Sequence, residues 1–394
     1  MKIKSALIPL FLLFSLVSFS QTSKKPLKYP SLFWEIKAKG STKPSYLFGT
    51  MHVSSKLVYN LPDSFYIGLK NVQVVALEND MAFWQQDMEK YDMDPASFMP
   101  YQKSPVDYIH INTLKVHKYD ELIKYAIASN PSVINSLLYR TYGGKTADFE
   151  EDTFLDMFIF QCGRKYGKKT TGLEDFEESM RLMIEGIRDA AKDKNKKQRS
   201  YTNYNTEYSF DKLEEAYRTG NLDLLDSIHR YNSMSELFDE KFIYKRNEIQ
   251  ANSIDSIIKT GATVFSGVGA AHLPGNRGVI ELLRSKGYTV RPIKMIGRSN
   301  QEKEAVDKIA VPVTMKKITA EDASYQVEAP GDFFSTNHPL FKQVQHADMS
   351  NGSYYMITKI ATNASMWGHN ENHVLEVVDS LLYESIPGKI LSKD

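Results

Sequence analysis

Between Leu32 and Phe48 two short apolar runs, "LFWEIK" and "SYLF", flank the polar "AKGSTKP". This predicts a β-hairpin with strands at Leu32–Lys37 and Ser45–Phe48. "LPDSFYIGLKN" has a Pro-Asp start and helical spacing, and "VQVVALEND" is a nearly continuous apolar run that predicts a buried strand ending at Glu78. Strand, helix, strand in that order predicts a parallel α/β unit. From about Met81 to Ala251 the period is helical, with apolar residues three and four apart in "HKYDELIKYAIA", "NPSVINSLLYR", "EDTFLDMFIFQCGRKYG" and "FEESMRLMIEGIRDAAKDK". The strand-like "KKTTGLED" interrupts them.

"FDEKFIYKRNEIQANSIDSIIKTG" predicts one long helix closed by Gly261, feeding the strand "ATVFSG". "LPGNRGVIELLRSKGYTVRPI" predicts a loop, a helix ended by Gly287 and a last strand that completes a second βαβ unit. Past Ile296 the polar "GRSNQEKEAVDK" reads as a linker over 297–308. Short strands follow in "VTMKKITA", "YQVEAP" and "YYMITKIAT", then a helix from His369 to Glu384. The fold class is α/β: a mixed, largely parallel sheet with a large helical insert over 32–296, plus a small α+β module over 309–394.

Composition narrows the partners. A net charge of +1 with both signs interspersed gives no attraction to nucleic acid or to an anionic membrane surface; the basic run at 192–199 reads as a solvated helix end. Lys2 and Lys4, the apolar Ala6–Phe19 and the small-x-small Ser18-Phe19-Ser20 read as a signal peptide over 1–20, followed by a polar leader over 21–31. The expected location is therefore the periplasm or the exterior, with no stable membrane insertion after cleavage. Cys162 is the only cysteine, so an intrachain disulfide and a Cys-rich metal site are excluded and any metal ligands come from His, Asp and Glu.

The candidate chemistry lies where predicted strands stop. "YLFGTMH" ends on His52 and "VFSGVGAAH" on His272, each closing a Gly-x-x-His whose Gly, Gly49 or Gly269, is expected to let the backbone turn and approach a ligand. Glu78 and Glu174 end two other strands. In open α/β sheets ligands bind beyond the carboxyl ends of the strands, so parallel neighbours would bring these four groups to one rim. Two imidazoles and a carboxylate suit Zn²⁺, Mn²⁺ or Co²⁺ and leave room for a water that the metal activates. A carboxylate not used as ligand would act as general base. Arg246, placed late in the predicted long helix, would polarise an oxyanion.

Blander readings stand beside each residue. A single His or Glu at a strand end is more often a hydrogen-bonded structural group or a helix cap. "GVGAAH" also resembles a dinucleotide-binding turn, but His272 stands where the third small residue belongs and "YTVRP" ends on no acid. His369 and His373 are four apart on one helix face, and without further ligands they read as a surface pair.

"YLFGTMH", "VVALEND", "KKTTGLEDFEESM", "YKRNEIQANSIDSII" and "VFSGVGAAHLPGNRGVIELLRSKGYTVRPI" together resemble, in order and spacing, the TraB/GumN family, which includes the Tiki metalloproteases. The resemblance spans roughly residues 32 to 295. It implies a Tiki- and erythromycin-esterase-like fold carrying a metal-dependent hydrolytic centre, with His52, His272 and Glu78 as metal ligands and a peptide or protein as substrate. Glu174, Arg246 and Asn247 fall in other family motifs and are carried over as catalytic candidates. Asp156 in "TFLDMF" matches a helical family position and reads equally as an exposed or capping residue. Tiki proteins use Mn²⁺ or Co²⁺, whereas other relatives handle peptide pheromones or bind haem, so a non-catalytic peptide or cofactor binder is the alternative expectation.

Overall fold

Apolar runs that cannot be solvated on either face belong in the middle of a sheet. The computed structural model, which describes residues 26–54, 61–83, 86–87, 152–193, 206–295, 299–336, 342–350 and 353–359, follows that rule. Its six-stranded sheet contains β1 (Phe33–Lys37), β2 (Ser45–Thr50), β4 (Val74–Leu77), β6 (Lys169–Gly172), β7 (Val264–Gly269) and β8 (Thr289–Pro292), in the spatial order β6-β4-β7-β2-β1-β8. Every residue of β4 is buried, as are the first five of β7, while the edge strand β8 exposes Thr289, Arg291 and Pro292. Proline is tolerated there because an edge leaves one ladder open.

The hairpin forms as expected, with Phe33 opposite Phe48. β7 pairs parallel with β2 on one side and β4 on the other, and β4 pairs parallel with β6. β8 pairs antiparallel with β1, so β1 alone runs against the other five. The second strand-helix-strand unit therefore skips two strands: both sides of β7 are taken, and its successor fills the free edge beyond β1. The sheet is a mixed, largely parallel α/β sheet.

An aromatic cluster anchors one end of the core. Phe65, from helix α1 (Asp63–Lys70), meets Phe48 edge-on at 5.0 Å and Phe265 at 5.4 Å. Gly68 lets α1 approach, since a Cβ there would lie 2.8 Å from Phe33. Helix α2 (Leu155–Lys165) buries Leu155, Ile159, Phe160 and Cys162, the helical spacing that presses it onto β4, β6 and β7. Among the described residues, the helical insert also holds α3 (Phe176–Lys192), α4 (Phe210–Arg218), α5 (Leu222–Asn232), α6 (Glu236–Asp239) and α7 (Arg246–Lys259). α8 (Val279–Ser285) connects β7 to β8.

Three elements differ from the sequence reading. The expected single helix over 238–261 runs on without a backbone break but contains a π-helical segment, Glu240–Lys245, so Arg246 stands just past that segment, at the start of α7, and not late in the helix. The polar stretch read as a linker contains α9 (Gln301–Asp307), which packs on α1 and buries Val306 completely in the main core. His52 opens a separate short strand, β3 (His52–Ser54), paired antiparallel with β5 (Asp152–Phe154).

Beyond α9, β9 (Lys316–Thr319) and β10 (Gln326–Ala329) form a two-stranded sheet. β11 (Phe334–Thr336), β12 (Lys342–Asp348) and β13 (Ser353–Lys359) form a three-stranded antiparallel one. The signal segment, much of the basic run at 192–199, and the His369 and His373 pair with its helix lie outside the described residues. Among the described residues no helix is long and apolar enough to cross a membrane.

Candidate functional site

The parallel strands β2, β4, β6 and β7 end on one rim, and their register sets what meets there. Thr50 lies opposite Gly269 in the β2–β7 pair, which places the two Gly-x-x-His motifs on adjacent strands. Leu77 is level with both Gly267 and Gly172. Pairing continues past the strand ends, where the Glu174 N–H donates to the Glu78 carbonyl at 2.9 Å. That bond sets the two glutamates side by side, while Asp175 turns away to cap α3 through the Glu178 N–H at 3.0 Å.

Arg246 joins them. Its Nη2 donates to Glu78 Oε2 and its Nε to Glu174 Oε2, both at 2.7 Å. Gln250, one helical turn after Arg246, donates from Nε2 to Glu174 Oε1 at 2.5 Å. Burial alone would raise Glu78, but His272, Arg246 and the Gly269 N–H outweigh it and hold the carboxyl below its usual range. At Glu174 burial wins over Arg246 and the carboxyl is raised. Burial opposes the Arg246 charge, yet the two carboxylates raise it above its ordinary value. The expected oxyanion-polarising role of Arg246 does not match this arrangement, since the guanidinium is buried and committed to two carboxylates.

His272 lies in a 3-10 turn after β7 and is almost fully buried. Asn247 fixes its proton. The Asn247 Nδ2 donates to the Arg277 carbonyl at 2.8 Å, so Oδ1 is the atom facing His272 Nδ1 at 2.7 Å. Nδ1 therefore carries the hydrogen and Nε2 a lone pair, which faces Glu78 Oε1 across 3.7 Å. Burial pushes the imidazole down to about 4, so the ring is neutral at physiological pH. Glu78 Oε1 also accepts the Gly269 N–H at 2.6 Å.

The glycines serve close approach and not a sharp turn. Neither Gly49 nor Gly269 has positive φ; Gly269 sits at φ −51°. A Cβ on Gly269 would lie 3.1 Å from Glu78 Oε1 and 3.3 Å from His272 Cδ2, and one on Gly49 would lie 3.1 Å from Ala270 Cβ. For His52 the structure describes the backbone, which opens β3 after the end of β2 and pairs with Phe154 in a separate two-stranded sheet.

Asp156 joins the rim from the first turn of α2: its Oδ1 accepts from Thr50 Oγ1 at 3.1 Å. Burial, with the Glu78 charge second, pushes this carboxyl up to about 7. The buried Tyr217 hydroxyl donates to the Gly49 carbonyl at 2.9 Å and holds the end of β2. Gln250, Thr50 and Tyr217 escaped the motif reading. Gln250 was accessible through its four-residue spacing from Arg246, and Thr50 lies inside Gly-x-x-His; nothing local marks Tyr217.

Among the described residues no group of three His, Cys, Asp or Glu side chains is arranged to hold a metal ion. His272 and Glu78 supply two adjacent donors.

Sheet and site define a class: an α/β protein whose polar centre lies beyond the carboxyl ends of parallel strands, where two Gly-x-x-His motifs on neighbouring strands stand beside an Arg-bridged glutamate pair on the next two. Residues 32–292 match the TraB/PrgY/gumN family, more than half of the 394-residue chain, and the protein belongs to that family. No curated protein and no solved structure matches the chain.

Proposed function

We propose that this protein is an exported, metal-dependent hydrolase of the peptidase kind. The observation that carries the reading is the pair His272 Nε2 and Glu78 Oε1. Two lone-pair atoms face each other across 3.7 Å with no hydrogen to share, one on a neutral imidazole and one on a charged carboxylate. One arginine between two glutamates leaves the formal sum negative, which favours a cation at the open side of Glu78.

On this reading a divalent Mn, Co or Zn ion would be held by His272, Glu78 and His52, the His52 side chain lying outside the described ones, and Asn247 would fix the His272 tautomer as outer partners of metal-bound imidazoles do. Such an ion supplies a water whose pKa is lowered toward neutrality. The chain's own residues do the rest. The Gly269 N–H and Arg246 keep Glu78 charged and oriented. Asp156, with its carboxyl pushed up to about 7, holds a proton at the rim that can be given up or taken back near neutral pH. Glu174, one of the expected catalytic acids, has no free oxygen for that work.

The peptide substrate class rests on the resemblance to Tiki metalloproteases, and export rests on Lys2, Lys4 and the apolar Ala6–Phe19. A broad peptide-cleavage screen with added Mn²⁺, Co²⁺ or Zn²⁺, run on the wild type, His52→Ala and His272→Ala, tests the proposal. Cleavage by the wild type alone, abolished by a chelator, is expected. Cleavage that persists in either variant defeats the site assignment. A folded wild type that cleaves nothing but retains a peptide or cofactor selects the non-catalytic binder instead.

A further inference from the structure

Glu174 belongs to a motif expected to take part in the chemistry, yet its carboxyl has no route to a substrate. Its side chain is 1% exposed, and Arg246 Nε and Gln250 Nε2 occupy its two oxygens. Gln250, Glu174 and Arg246 are all buried, whereas the Glu78 side chain is 23% exposed. Information can pass outward along this chain of bonds, and of its four members Glu78 is the one that opens to the rim.

We infer that Gln250, Glu174 and Arg246 form a relay of positioning residues whose output is the orientation of the Glu78 carboxylate. The inference rests on Glu78 as a charged metal ligand of the proposed site. A guanidinium is planar, so fixing Nε on Glu174 fixes the direction in which Nη2 points, and Nη2 holds Glu78 Oε2. With Oε2 held, Oε1 stays on the Gly269 N–H and faces His272. Gln250, four residues after Arg246 on α7, closes the far end by holding Glu174 Oε1. Without Glu174 the Arg246 fork is free to swing, and Glu78 loses the donor that selects its rotamer.

Two measurements test this. Co²⁺ alone is titrated into the wild type, Glu174→Ala, Arg246→Ala and the double variant, following both affinity and the visible spectrum of the bound ion. Each single change is expected to weaken binding by about 10- to 100-fold, the usual effect of losing an outer partner. The double variant is expected to be no worse than Arg246→Ala alone, because Glu174 acts through Arg246. Losses that multiply, or a Glu174→Ala protein with unchanged affinity and spectrum, overturn the relay. The second measurement needs no metal: a crystal structure of chelated Glu174→Gln, which keeps the side-chain volume where the alanine variant fails to fold. Arg246 displaced and Glu78 in a second rotamer support the relay; an unmoved Glu78 overturns it whether or not Co²⁺ binds. A wild type that takes up no Co²⁺ defeats the metal reading and leaves the crystal structure to decide the relay.

Discussion

At Asp156 one proton separates the folded from the unfolded chain over a defined pH window. The folded carboxyl is pushed up to about 7, against 3.8 for the free group. Its contribution to stability is fully present below about 3.8 and is lost as pH rises through about 7, because between those values the folded state keeps a proton that the unfolded state releases. Asp156→Asn, neutral throughout, lacks that loss. In chelated protein its stability relative to wild type is expected to rise by about 2–3 kcal/mol from pH 5 to pH 8, read by urea unfolding. Parallel pH curves for the two proteins would contradict the environment assigned to this carboxyl. Gly269 makes a second residue-scale case. Its backbone at φ −51° accepts any side chain, so Gly269→Ala tests crowding alone, with the new Cβ 3.1 Å from Glu78 Oε1. The expected cost is about 1 kcal/mol of stability together with about tenfold weaker Co²⁺ binding, comparable to disturbing a metal's outer partners. Unchanged Co²⁺ affinity would mean that the rim has slack where the contacts leave none.

At the scale of elements, two departures from the sequence reading have the same origin. "QEKEAVD" is so polar that its one large apolar residue gives no period, yet Val306 is wholly buried against the main core and Lys70 meets Glu302 across the α1–α9 contact. Val306→Ala is expected to cost about 1–2 kcal/mol in urea unfolding, whereas Glu304→Ala, on the exposed side, is expected to cost a few tenths. Equal costs would show that the helix packs too loosely to matter. The π segment Glu240–Lys245 was equally hidden, because its residues carry ordinary helical periodicity. What distinguishes it is its consequence: it sets the phase at which α7 begins, and so turns Arg246 toward the two glutamates and Asn247 toward His272. Strands and most helices were legible because apolar spacing is a local signal. The phase of α7 answers to partners far away in sequence, with Glu78 lying 168 residues before Arg246.

At the scale of the whole molecule, strand order does what no single motif reveals. The strand carrying the second Gly-x-x-His is inserted between two strands that lie far earlier in the sequence, so Thr50 and Gly269 become direct neighbours. The rim as a meeting place for Glu78, Glu174 and His272 was legible, since each follows an apolar run and parallel strands share one carboxyl end. The division of labour among them was not: that depends on Arg246 and Gln250 engaging Glu174 while Glu78 stays open. The central claim is that His272 and Glu78, with His52, hold a divalent metal at this rim. Co²⁺ titration of chelated wild type beside His272→Ala, followed by the visible absorption of the bound ion, tests it most directly. One equivalent bound by the wild type and none by a folded His272→Ala protein is expected; equal uptake by both, or uptake by neither, would contradict metal binding at this rim.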